Sequence, residues 1–270
     1  MIIDLFSVRS ALFLPASNPR AIAKARTLDA DLVILDLEDA VKAGDKEAAR
    51  QAVVDALAQG WPMPVAVRVN AAGGQWYEAD AEALCDAAAD AVVIPKVEEP
   101  MLVERVAERW GKPVLAMIET ARGVLFAPQI AEAHGIAGLV AGTNDLAASL
   151  RVPGEGSRAS LSVALQTIVI SARAAGVAAF DGVFNKLGDS DGLAAECEEG
   201  RRLGFDGKSL IHPDQIDPCN RAFSPSPVEV DRARRLVAAF DGGAQRFEDE
   251  MIEAMHLEQA RRVLKRAARV

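Results

Sequence analysis

Apolar, strand-length runs that alternate with helical stretches from one end of a 270-residue chain to the other predict an α/β protein. More specifically, they predict a (β/α)8 TIM barrel with a C-terminal helical extension. The runs are apolar throughout rather than alternating, as strands covered on both faces are. An open, doubly wound sheet shares that pattern, but eight β-then-α units in a chain of this length favour the closed barrel.

Ser10–Pro15 reads as the first strand, stopped by a Pro-Ala-Ser-Asn-Pro turn in which Ser17 or Asn18 caps a helix and Pro19 occupies its first turn. Leu32–Leu37, Val65–Asn70, Ala91–Pro95 and Val114–Glu119 read as strands two to five. Gly138–Gly142, Val177–Phe180 and Gly207–Ile211 complete the set. Alanine-rich amphipathic segments lie between them, including Asp45–Gln59, Glu78–Ala88, Pro100–Trp110 and Gly192–Leu203. Residues 1–223 are expected to form the barrel. Residues 224–270, opening Ser-Pro-Ser-Pro, are expected to form a charged helical extension of the same domain, a lid or an oligomer arm.

Half of the residues are hydrophobic, enough for a sizeable core, and the net charge of −9 argues against a general nucleic-acid or anionic-membrane binder. Anionic small molecules stay admissible, because a local arginine or bound metal reverses the field inside a cleft. No apolar run approaches a membrane span, and the N-terminal residues lack a basic region followed by an apolar stretch, so a cytoplasmic location is expected. Cys85, Cys197 and Cys219 are scattered without metal-ligand spacing and read as free thiols.

In such a barrel the chemistry lies at the C-terminal ends of the strands. There the sequence places Asp36, Glu38 and Asp39, then Arg68 and Asn70, then Lys96. Glu119, Asn144, Asp145, Asp181, Ser209 and His212 follow on the later strands. Packing alone does not require so many ionisable groups on one rim, since each buried charge is costly unless paired. Glu119 and Asp145 end neighbouring strands, about 4.8 Å apart, and can converge on one Mg2+, which one or two carboxylates typically hold. Alternatively, Glu119 pairs with Arg122 and Asp145 caps the helix after it. Arg68 offers a fork matched to a carboxylate or enolate, and equally to Asp36, Glu38 or Asp39. Backbone amides of residues 142–144, before a short helix, suit an anion. Arg20 and Lys24, four apart on the first helix, either meet a phosphate or form a solvated face. His212 reads as a cap or packing residue before a base. A Lys96 Schiff base is disfavoured by its acidic neighbours, Glu98 and Glu99.

Taken together, several stretches resemble the citrate lyase beta-subunit family, within the HpcH/HpaI aldolase group that includes malyl-CoA and citramalyl-CoA lyases. They are Arg9–Pro15, Val33–Ala40, Val67–Asn70, Ile94–Glu98, Met117–Gly123, Gly142–Leu146 and Gly204–Pro213. The resemblance spans about the first four-fifths of the chain in the family's order. It implies that Glu119 and Asp145 bind Mg2+ (or Mn2+), that Arg68 contacts substrate near the reacting carbonyl, and that Phe13, Arg20 and Lys24 lie along a coenzyme A path. It also implies a homotrimer or hexamer and, in the citrate lyase branch, an acyl-carrier partner. Two departures stand out. The family's usual Glu-Asp pair is Asn144-Asp145 here. The C-terminal Gly-x-Met-Ile-Asp motif, which donates a catalytic aspartate to a neighbouring subunit, reads Asp249-Glu-Met-Ile-Glu253.

The expected activity is a Mg2+-dependent retro-aldol cleavage of a 3-hydroxyacyl-CoA thioester of the citryl-, citramalyl- or malyl-CoA kind. In that reaction Arg68 stabilises developing charge and Glu253 moves the proton. The alternatives are an aldolase acting on free 2-keto-4-hydroxy acids and a complex-dependent subunit with little activity alone.

Overall fold

The computed structural model describes residues 3–153 and 158–268, so the outermost residues of the expected barrel and extension lie outside it. Its strands are β1 (Ser10–Pro15), β2 (Leu32–Asp36), β3 (Val65–Arg68), β4 (Ala91–Ile94), β5 (Val114–Ile118), β6 (Ile136–Ala141), β7 (Ala178–Asp181) and β8 (Gly207–Leu210). All pair in parallel and in chain order, and β8 returns to β1 with Ala11 opposite Ser209, which closes the barrel. The surrounding helices begin with α1 (Pro19–Ala25), α2 (Lys46–Leu57), α3 (Tyr77–Leu84), α4 (Pro100–Trp110), α5 (Ala121–Leu125) and α6 (Ala127–Ala131). They continue with α7 (Thr143–Ser149), α8 (Ser162–Ala175), α9 (Ser190–Leu203) and α10 (Ile216–Phe223).

Local chemistry fixes the helix ends. The Asn18 side chain accepts from the Ala21 amide with Pro19 in the first turn of α1, and Asp189 caps α9 through the Gly192 amide. Gly111, Gly176 and Gly204 end α4, α8 and α9 in the left-handed conformation. β6 starts two residues before the expected Gly138, because its register against β5 shifts by one residue, with Val114 opposite Ile136 and Leu115 opposite Gly138.

Side-chain parity divides the core in two. Ala11 and Phe13, Leu32 and Ile34, Ala66, Val93, Leu115 and Met117, Val140 and Phe180 point into the barrel. Leu5, the first residue of a 3-10 turn at Leu5–Ser7, and Val8, which caps its end, plug the N-terminal end of the barrel. The intervening residues pack outward against the helices.

The extension holds α11 (Pro227–Ala239), a hairpin of β9 (Gln245–Phe247) and β10 (Glu250–Ile252), and α12 (Ala254–Ala267). The hairpin was not expected, since its strands are charged and short. Its turn places Glu248 at φ 54°, and Ile252 is fully buried against Ala233, Leu236 and Ala260. Arg266 ties α12 to the N-terminal end of the barrel through the carbonyls of Phe6 and Asp206.

Asp181 was expected on the catalytic rim, but the structure turns it outward, because Phe180 before it points in. Fully buried, it pairs with the equally buried Lys208 at 2.9 Å and with Arg158 at 2.9 Å, and Glu196 lies 2.6 Å from the same ammonium. Burial pulls Lys208 down, and the charges of Asp181 and Glu196 outweigh it, so the ammonium is held above its ordinary value. Lys208→Met should therefore destabilise the fold by about 3 kcal/mol, read from urea denaturation. A change within experimental error would contradict this role.

Candidate active site

The strand parity that sends Asp181 outward sends Asp36, Arg68, Glu119 and Ser209 inward at the C-terminal rim. They line a cavity of about 400 Å³ together with Phe13, Met117, Asn144 and Asp145.

Arg68 ends β3 and is nine-tenths buried. Its Nε donates to Asp36 Oδ1 at 2.7 Å and its Nη2 to Asp36 Oδ2 at 2.5 Å, while Nη1 lies 3.1 Å from Glu38 Oε2. The guanidinium carbon stands 5.0 Å from the centre of the Phe13 ring. Burial opposes its charge, but the Asp36 hydrogen bonds and the charges of Asp36, Glu38 and Glu119 raise its pKa beyond the ordinary arginine value. The salt bridge and the cavity-facing position thus coexist. Asp36 is itself fixed by the Glu38 amide at 2.8 Å and the Ala40 amide at 3.3 Å.

Asn70 does not reach the cavity. Its amide group joins Lys46 Nζ at 2.6 Å and Asp80 Oδ2 at 2.7 Å, and Lys46 also binds the carbonyls of Leu37 and Glu38. This buried brace under the rim was missed in the sequence, where Lys46 and Asp80 look like ordinary helix-surface charges.

Glu119 follows β5 and is 3 % exposed. Its Oε1 accepts from the Lys96 amide at 2.8 Å, and Lys96 adopts φ 53°. Its other oxygen lies against Gly142, where an added Cβ would stand 2.3 Å from Oε2, so no larger residue fits. Burial first, then the nearby Glu38 and Asp145 charges, push the Glu119 carboxyl up to about 7 against the Lys96 amide and Arg68. Arg122 pairs instead with Glu98 and stacks on Phe126, which removes the alternative partner for Glu119.

Asp145 sits in the first turn of α7, whose N-cap is Gly142 without a side-chain cap bond, so Asp145 is not spent on capping. Its Oδ2 lies 3.5 Å from Lys96 Nζ, which is also 3.3 Å from Glu38. Burial lowers the Lys96 pKa, and Glu38 and Asp39 more than restore it. A protonated amine of this kind is no nucleophile for a Schiff base.

Among the described residues no cluster of three or more His, Cys, Asp or Glu could hold a metal ion. Two carboxylates suffice for Mg2+, with water and substrate oxygens completing its shell. Glu119 and Asp145 fit that requirement, since both line the cavity and Lys96 already shows a cation drawn to Asp145. Asn144, where a second acid was expected from the resemblance, forms a reciprocal amide pair with Asn185 at 2.6 and 3.2 Å, tying the β6 and β7 loops together. Of the amides at residues 142–144, that of Gly142 is committed to the Ile118 carbonyl.

Phe13 lines the cavity, whereas Arg20 and Lys24 are exposed on α1 outside its lining. Glu253 is exposed at the start of α12, its amide donating to His256 Nδ1 at 3.0 Å, and it does not line the cavity of its own chain. His212 caps a 3-10 turn, its Nδ1 accepting from the Asp214 amide at 3.2 Å.

The raised Glu119 pKa sets a pH dependence. Its stabilising proton is fully bound below the unfolded value of 4.5 and is lost as pH rises through about 7. In chelator-treated buffer, Glu119→Gln should gain about 3 kcal/mol relative to wild type between pH 4.5 and 8.5. Parallel stability curves for the two proteins would refute the assignment.

The HpcH/HpaI aldolase/citrate lyase family model matches residues 9–213, and a model of C–C bond lyases of the TIM-barrel fold matches residues 159–269. A (3S)-malyl-CoA thioesterase of Cereibacter sphaeroides is 42% identical, over 96% of this chain and 94% of that protein. The citrate lyase subunit beta of Leuconostoc mesenteroides is 33% identical, over 96% and 93%. The crystal structure of CitE from Mycobacterium tuberculosis in complex with magnesium, acetoacetate and coenzyme A superposes with a TM-score of 0.85 at 36% identity, covering 98% of this chain and all of that one. This chain thus belongs to the HpcH/HpaI aldolase/citrate lyase family of carbon–carbon lyases.

Proposed function

We propose that this protein cleaves the carbon–carbon bond of a 3-hydroxyacyl-CoA thioester of the malyl-, citramalyl- or citryl-CoA kind, with Mg2+ held by Glu119 and Asp145. The observation that carries the reading is the convergence of those two carboxylates on one cavity with an arginine whose orientation and charge are fixed by Asp36. The bound cation would act as a Lewis acid toward the hydroxy-acid end of the substrate.

The chain's own residues supply the rest. Arg68 remains cationic at every working pH and faces the cavity, so it stabilises negative charge as the carbon–carbon electron pair moves toward the thioester. Phe13 shields one face of the guanidinium, which strengthens that field by excluding water. Arg20 and Lys24, exposed on the helix that leaves β1, are suited to the phosphates of coenzyme A. The proton carrier is Glu253 of a neighbouring copy in a homotrimer or hexamer, since that residue is exposed and lies outside its own chain's cavity.

The similarity to a malyl-CoA thioesterase favours a second reading in the same cavity, in which water attacks the thioester carbonyl and coenzyme A leaves as the thiol. The products separate the two. Incubation with malyl-, citramalyl- and citryl-CoA should yield a shorter acyl-CoA and a 2-keto acid (oxaloacetate from citryl-CoA). Chelation should remove the activity, and Glu119→Ala should lower kcat/KM at least a thousandfold without unfolding the protein. Release of free thiol with an intact hydroxy acid would establish the hydrolase instead. Turnover of free 2-keto-4-hydroxy acids alone would contradict both, and activity gained only with an acyl-carrier protein would assign a complex-dependent subunit.

A further inference from the structure

Ser209 is a polar side chain in the cavity that the roles given so far leave unused. It is 2 % exposed, and its hydroxyl has no hydrogen-bond partner among the described residues. Buried hydroxyls are nearly always partnered, because an unpaired one forfeits its bonds to water. Lys208 and Leu210 on either side pack outward, so parity aims Ser209 into the barrel, where it lines the cavity.

Its position across the barrel decides what it can meet. Glu119 and Asp145 stand at the ends of β5 and β6, whereas Ser209 stands on β8 beside β1. The other residues that β1 and the end of β8 give to the cavity lining, Phe13, Leu14, Pro15 and Ile211, are apolar. A substrate whose hydroxy-acid end lies at the carboxylates and whose chain crosses the barrel toward β1 brings its thioester to this wall.

We propose that the Ser209 hydroxyl donates a hydrogen bond to the thioester carbonyl oxygen of the substrate. The inference rests on the thioester reading above but not on which bond breaks. In carbon–carbon cleavage a base removes the substrate hydroxyl proton and the bonding pair passes to the carbon next to the thioester. The resulting enolate charge rests on the carbonyl oxygen until a proton returns to that carbon. In hydrolysis water gives a proton to a base as it adds to the carbonyl carbon, and the same oxygen carries the charge until the coenzyme A thiolate departs and takes that proton. Ser209 keeps its proton in both cases and acts as a fixed dipole where charge develops.

The test compares Ser209→Ala and Ser209→Thr with wild type on whichever thioester the wild type turns over. The alanine variant should lose 30- to 300-fold in kcat with KM changed less than threefold. Its Tm should be unchanged or raised, and its affinities for Mg2+ and for glyoxylate or pyruvate with Mg2+ should match wild type. Threonine, which retains the hydroxyl, should recover at least a tenth of wild-type kcat. Wild-type kcat in Ser209→Ala would overturn the proposal while leaving the thioester reading intact. Equal loss of Mg2+ or keto-acid binding would also overturn it, by placing Ser209 at the other end of the substrate. A wild type that turns over no thioester would overturn the reading and this inference together.

Discussion

Arg68 faces the rim cavity in one orientation because Asp36, one strand away, takes both ends of its guanidinium fork. Two charges buried this deeply are costly in isolation, and removing either partner from such a pair typically costs about 3–5 kcal/mol. The cost is contained because every group in the chain of contacts is itself held. Two loop amides position Asp36, and Lys46 pins the carbonyls of the same loop while reaching across to Asn70. The ends of β2 and β3 therefore form a rigid block, and the arginine enters the cavity in one orientation. Precision of this kind matters where a displacement of about 1 Å changes a rate a hundredfold.

The other half of the rim is built the opposite way. Glu119 accepts one backbone hydrogen bond and is packed against Gly142, with acids as its nearest charged neighbours apart from Arg68. Its carboxyl is held near 7 by desolvation, and Lys96 takes a left-handed backbone conformation beside it. Non-glycine residues in that region cost of order 1 kcal/mol. This is an environment that disfavours a lone carboxylate and favours one that shares its charge with a cation. The contrast between a satisfied arginine and an unsatisfied acid gives the cavity its chemical asymmetry.

Much of this was legible in the sequence. Continuous apolar runs identified the strands, and the polar residue ending each run identified the rim. Which of those residues enter the cavity was harder to read, because strands buried on both faces hide their parity. Asp36, Arg68 and Glu119 each lie two residues beyond an inward apolar neighbour, whereas Asp181 follows inward Phe180 directly. The early start of β6 depended on a register shift that leaves no compositional trace. The β9–β10 hairpin depended on tertiary burial of Ile252, with Phe247 packed beside it, within a charged stretch. Asn144 was visible as a departure, but its partner Asn185 lies 41 residues away and no local pattern links them.

The cation site proposed at Glu119 has a direct test. Calorimetric titration with Mg2+ at pH 6.5, in two buffers of different ionisation enthalpy, measures the protons released on binding. With the carboxyl held up to about 7 in the free protein, more than half a proton should leave per Mg2+ bound, and Glu119→Gln should abolish that release. Binding without proton release, or release undiminished in Glu119→Gln, would contradict the assignment of the site.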